Sequence, residues 1–223
     1  MVNINNVRET VLAICNKNNY GYITPDDFNL YAKQAQLEVF DDYMKMYNYS
    51  INMDNDRSSG TDLANLTEKA RENIEYFITG DTLTHDTISG IYSVFEAPDN
   101  WYNMNLLTYT GGTRNVEVVK GSRVDISRLS NSNLTSPTEE YPMYVVGQPD
   151  GITGLSAIAI VPNTIIADVE IIYIRYPSDP IWAYVSLING EPMQDAAVSV
   201  NFEVAEQEES ILVNKILEKA GIS

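Results

Sequence analysis

The segment Gly21-Tyr22-Ile23-Thr24-Pro25-Asp26-Asp27-Phe28, running on to Met46, constrains this chain more than any other. It spells out a helix start. The Thr24 hydroxyl can accept from the free backbone N–H groups of a first turn. Pro25 brings a preset φ and no donor to leave unpaired. Asp26 and Asp27 put negative charge at the positive end of the helix dipole. Behind them Phe28, Ala32, Ala35, Val39, Tyr43 and Met46 recur at intervals of three and four, the stripe of a helix with one buried face. Ala32 and Ala35 are small enough to admit a second helix at close range.

The same stretch imitates a calcium loop. From Asn16 to Asp27, Gly21 and Ile23 stand where an EF-hand has its glycine and its apolar residue. The ligand positions fail: Asn16 and Asn18 are neutral, Tyr20 stands fifth, and the shorter Asp27 replaces the bidentate Glu that calcium needs. The reading is a turn leading into a capped helix. Asp54, Asn55, Asp56 and Ser58 lie in a polar segment, Asn48 to Gly60, that reads as an exposed loop and not a metal site.

Helical signals occupy the first third of the chain. Asn6 to Asn16 carries Val7, Val11, Leu12 and Cys15 on one face. A third helix is expected from Thr61 or Asp62, burying Leu63, Leu66, Ala70, Ile74 and Phe77, with Gly80 near its end. After Gly80 the period changes to that of strands. Ile91 to Phe95 is an apolar run; Asn105 to Tyr109 and Arg114 to Lys120 flank the hairpin signal Gly111-Gly112. Tyr144 to Gly147 and Ser156 to Val161 flank Pro149-Asp150-Gly151, and β-branched Val169 to Tyr176 ends at Pro177. Ile126 to Asn133 reads as a short helix, Trp182 to Leu187 as a strand or edge segment, and Ala197 to Phe202 as a strand, with a helical start as the other option. Glu206 to Ala220 closes the chain as a helix: acids lead, Lys215 and Lys219 trail, Gly221 stops it, and Ile211, Leu212, Ile216 and Leu217 make its stripe. That helix packs on the N-terminal helices or on a neighbouring subunit. The expected fold is α+β: a helical region over residues 1–80, an antiparallel, sandwich-like β region over 81–204, and a C-terminal helix over 205–223.

Charge narrows the functions. Among 223 residues acids outnumber Lys and Arg by 31 to 14, a formal charge of −17. Gripping nucleic acid or an anionic membrane takes a basic surface, which this composition does not supply. No apolar run approaches the roughly 18 residues of a membrane span, and Met1 to Glu9 lacks the pattern of a secretory signal. Cys15 is the only cysteine and has no partner within the chain, which fits a reducing cytoplasm.

No catalytic constellation emerges. His85 is the only histidine, so no histidine pair can hold a metal, and it reads as an exposed loop residue. Cys15, on the apolar side of a helix, reads as packing. Acid pairs such as Asp41-Asp42, Glu139-Glu140 and Glu208-Glu209 read as solvated faces rather than the paired acids of a glycosidase. The 15 tyrosines point to contact rather than chemistry. No enzyme and no cofactor is expected. A β-rich carbohydrate-binding module, with Trp101, Tyr102, Trp182 and Tyr184 as its platform, is the alternative; a calcium-regulated protein is a third option.

Several stretches in order resemble one family. Gly21 to Glu38, Leu134-Thr135-Ser136-Pro137-Thr138-Glu139-Glu140-Tyr141-Pro142-Met143-Tyr144, Tyr173-Ile174-Arg175-Tyr176-Pro177-Ser178-Asp179-Pro180-Ile181-Trp182, and the terminal run from Phe202 to Ile222 resemble neck proteins of crAss-like tailed phages. The resemblance implies a virion structural protein, made in the host bacterial cytoplasm. It would form a ring, similar in role to connectors that stack as twelvefold rings beneath a portal. Its implied partners are copies of itself, the portal protein and other neck and tail proteins, with DNA passing through unbound, and no membrane. It implies no catalytic residue. Phe28, Tyr31, Ala35, Trp101, Trp182, Ile211, Leu212 and Leu217 are the expected assembly contacts.

Overall fold

The computed structural model describes residues 1–17, 23–55, 71–112, 114–147, 157–188 and 190–222. The chain forms two compact units: Met1–Tyr76 together with Pro177–Ser223, and Phe77–Tyr176. The class is α+β, with helices α1 (Ile4–Lys17), α2 (Pro25–Asn55), α3 (Arg123–Ser130) and α4 (Glu209–Lys219). The partition differs from the expected one. Residues 177–204 fold with the helices, because Trp182, Phe202 and Val204 are buried there.

In the helical unit, α2 starts as its sequence dictates. Thr24 Oγ1 accepts from the Asp27 amide at 3.2 Å and donates to the Asp27 carboxylate at 2.6 Å. Phe28, Ala32, Ala35, Val39 and Tyr43 are buried, but the face widens over Phe40 and Met44, and Met46 turns out to solvent. The helix also runs through residues 48–55, which were expected to be loop, because nothing in Asn48–Asn55 breaks it: there is no Gly or Pro. Helix α1 begins two residues before its apolar stripe suggests. Asn3 caps it by accepting from the amides of Asn5 and Asn6, and Ile4, Val7, Val11 and Cys15 line its buried side. The middle of the calcium-like loop, residues 18–22, lies outside the described residues, as do the start of the third helix and the turn at Pro149. Residues 71–75 are helical, but Gly80 stands in a strand and not at a helix end.

Helix α4 follows a single 3₁₀ turn, Glu206–Glu208. It packs on α2 with Leu212, Val213, Ile216 and Leu217 buried, so Ile211 is the one residue of its expected stripe that faces solvent. Gly221, at φ +77°, ends it: its amide donates to Glu218 and that of Ile222 donates to Leu217 at 2.9 Å, which satisfies the last carbonyls. Lys215 bridges Glu38 and Asp42 on α2, at 3.6 and 3.0 Å, and Lys219 also bonds Glu38.

The β unit contains two sheets. The smaller has strand order β1 (Ile78–Thr82), β9 (Val169–Arg175), β4 (Trp101–Gly111), β5 (Arg114–Glu117). The larger has the order β2 (His85–Ser89), β3 (Tyr92–Glu96), β8 (Ala157–Val161), β7 (Met143–Val146), β6 (Val119–Lys120). Among the described residues all pairs are antiparallel except β6 with β7, a departure from the antiparallel expectation. Gly112, at φ +71°, turns β4 into β5, as the Gly111-Gly112 signal predicts. One core joins the sheets: Leu107, Val169, Ile171 and Tyr173 of the smaller meet Phe95, Tyr144, Ile158 and Ile160 of the larger.

The two sheets are also joined along both sides. At one side β1 runs into β2 through Leu83 and Thr84; at the other β5 runs into β6 through Val118. Leu83 donates to Val169 in the smaller sheet while Thr84 accepts from Glu96 in the larger; Val118 donates to Leu107 and Val119 to Pro142. Leu83 and Val118 both point into the shared core. Strands that cross between sheets in this way make a flattened barrel and leave few free edges. On the outer face of the larger sheet, Ile126 of α3 packs against Val145, Ala159 and Val161. Strand β8 is therefore buried along its whole length, which explains its uninterrupted apolar run.

Candidate assembly surface

After Trp182 the chain of the helical unit leaves its core and returns to it at Phe202. Between them lies a hairpin, β10 (Tyr184–Ser186) paired with β11 (Pro192–Gln194). Its register continues through the Asp195 amide, which donates to Ala183, and after a turn over residues 196–198 pairing resumes where Ile181 and Val200 exchange hydrogen bonds of 3.1 and 2.8 Å. The arm thus spans Ile181 to Val200. At its tip Gly190, at φ +83°, donates to Leu187, and Leu187 to Glu191.

Trp182 fixes the base of the arm. It is 2% exposed; its indole N–H donates to Asn5 at 3.0 Å, and its main chain exchanges hydrogen bonds of 2.8 and 3.2 Å with the Asn29 side chain. The Arg8 guanidinium lies 3.7 Å from its ring centre, and Tyr184, two residues on and so on the same face of the strand, stacks against it at 5.7 Å. The opposite face of the arm holds Ile181, Val185 and Leu187 with their cross-strand partners Met193 and Val200. These side chains are exposed by 43%, 53%, 42%, 53% and 36%, and Ile188 at the tip is fully exposed. Both faces of this ribbon are open, since Tyr184 and Ser186 are exposed as well, but this face is uniformly apolar. No Lys or Arg occurs between Arg175 and Lys215, so the arm carries no positive charge.

Most of the residues expected at assembly contacts are committed elsewhere. Phe28, Ala35, Trp182, Leu212 and Leu217 are core residues of the helical unit, with no surface left to offer a neighbour. Tyr31 is half-buried, and half-buried Trp101 packs against the β core. Ile211, 45% exposed, is the one that is open. Burial follows from apolarity: large apolar residues at helical spacing are claimed by their own core first. The arm escaped the sequence reading beyond its first strand. The signal was present in Asn189-Gly190, a two-residue hairpin dipeptide between Ile188 and Glu191. Ala197 to Phe202 is not a regular strand either; isolated bridges at Val200 and Phe202 replace it.

Groups with chemistry are placed structurally. His85 is a half-buried strand residue and not an exposed loop histidine: its ring stands edge-on to Phe95 at 5.4 Å, and Nε2 is buried without a hydrogen-bond partner among the described residues. Cys15 is fully buried, and burial pushes its thiol pKa up. Burial, aided by the Glu208 carboxylate that Tyr43 donates to at 2.5 Å, holds the Tyr43 phenol far above its ordinary pKa. Among the described residues no group of three or more His, Cys, Asp or Glu is arranged to hold a metal ion. As a sugar platform the four expected aromatics are incomplete, since Trp182 has no ring face exposed. No helix among the described residues is long and apolar enough to cross a membrane.

The sequence matches no protein-family model and no curated protein.

Proposed function

We propose that this chain is a virion structural protein, a ring subunit in the neck between portal and tail of a tailed phage, joining head to tail around a channel for DNA. The observation that carries this reading is the arm. Contiguous apolar surface outside a core marks an interaction site, and here a hairpin anchored by Trp182 leaves it exposed. A ring subunit needs two different faces that meet by rotation, and a rigidly rooted arm supplies one of them. The resemblance to neck proteins of crAss-like phages supports the same role. The charge of −17 suits a bore through which DNA slides without sticking. Electron microscopy of the native particle, or of this chain mixed with its portal protein, tests the reading: a ring of density at the neck that fits this fold is expected, and a neck without it overturns the proposal.

A further inference from the structure

The arm has a counterpart on the same chain. In β9 the odd residues Val169, Ile171 and Tyr173 enter the core, so Glu170, Ile172 and Ile174 face outward; Ile174 is nonetheless covered, at 4% exposure, and the open part of the face begins at Ile172. Directly beside Ile172 the register places Leu106 of β4 on one side and Gly80 of β1 on the other. Ile172 is 40% exposed, and Ile78, two residues from Gly80 on the same face, is 38% exposed. A side chain at Gly80 would meet only the Ile171 carbonyl, at 3.8 Å, so the outer face has an open dent beside an exposed isoleucine. A glycine inside a strand marks a place where another backbone can come close. The larger sheet has α3 on its outer face, whereas no helix of the β unit covers this one among the described residues.

Resting on the ring reading above, we infer that the arm of one copy docks on the outer face of the smaller sheet of the next copy, its apolar ribbon lying across Ile172 and the dent at Gly80. The occupant is a second copy for two reasons. The six apolar residues of the arm are each 36% exposed or more, a surface comparable to the ~800 Å² that one partner contributes to a standard interface. And the arm and the strip around Gly80 are different surfaces of one chain, both apolar at their centres, so the contact is heterologous and propagates from copy to copy. Like charge on the two copies opposes it, so added salt strengthens the contact by screening.

Thiol cross-linking of the full chain tests this. Ile188→Cys and Gly80→Cys are both at open positions, and Cys15 is buried and stays unreactive. With a short bismaleimide, the chain carrying both substitutions is expected to give a ladder of oligomers, and a mixture of the two single variants a dimer linked from 188 to 80. Adding Met193→Asp to the double variant should remove the ladder. Dimers linked from 188 to 188, no ladder at high chain concentration and high salt, or a ladder indifferent to Met193→Asp each overturn the inference. The outcome is separable from the neck reading: a neck ring lacking the link from 188 to 80 fails only this inference, and the link in a chain absent from the neck fails only that reading.

Discussion

The guanidinium of Arg8, on the first helix, lies 3.7 Å from the ring centre of Trp182, near the start of the C-terminal segment. With Asn5 and Asn29 around the same indole, this contact fastens the two ends of the chain into one unit and roots the arm. Trp182→Ala is expected to destabilise the protein by about 3–5 kcal/mol, the usual cost of deleting a large buried aromatic. Trp182→Phe keeps most of the packing and removes the donor to Asn5 Oδ1, while Asn5 keeps its own bond to Glu9, for about 1–2 kcal/mol. Urea unfolding of both variants measures the difference. Equal midpoints for the two would show that the ring volume is not what matters.

The bridge between α2 and α4 sets a pH dependence. The hydrogen bond from Lys219 holds the Glu38 carboxyl below its ordinary value against the opposing effect of burial. For Asp42 burial pushes upward, but the bonds from Lys215 and Lys45 together outweigh it and the pKa is lowered. Carboxylates lowered by folding stabilise above their unfolded pKa, and that stability is lost as pH falls through the folded value. Lys215→Met should therefore cost stability at pH 7, and the gap to wild type should close as the pH drops below the ordinary 4.5 and 3.8 of these groups. Because the Glu38 and Asp42 side chains are 39% and 53% exposed, the gap stays under about 1 kcal/mol. Urea midpoints of wild type and variant, taken at neutral and acid pH, check it; a gap that widens in acid refutes it.

Ile126 is the plug between α3 and the larger sheet, wholly buried against Val145, Ala159 and Val161. Ile126→Ala should cost about 2–5 kcal/mol through lost burial and the cavity left behind. Hydrogen exchange should show the amides of residues 123–130 losing protection first, before those of β4 and β9.

At the tip of the arm the expectation is the opposite. Ile188 touches no core, so Ile188→Asp should change stability by less than about 0.5 kcal/mol. Incorporation of the chain into particles should nevertheless fail. Thermal melting and particle composition together separate this from a folding defect.

Sequence by itself determined the elements whose causes are local. Thr24-Pro25 starts α2, Gly221 ends α4, and Gly111-Gly112 turns a hairpin. Each depends on residues within a turn or two of one another. Tertiary structure decided the rest. Residues 177–204 join the helices because Trp182 finds Arg8, Asn5 and Asn29, partners far away in the chain. The sheets close because Leu83 and Val118 are drawn into a shared core. The same competition for burial took Phe28, Ala35, Leu212 and Leu217 out of contention as contacts and left Ile181, Val185, Leu187 and Met193 outside. An apolar residue in a sequence declares only that it will be covered; whether its own chain or a neighbour covers it depends on which surfaces the finished fold has already filled.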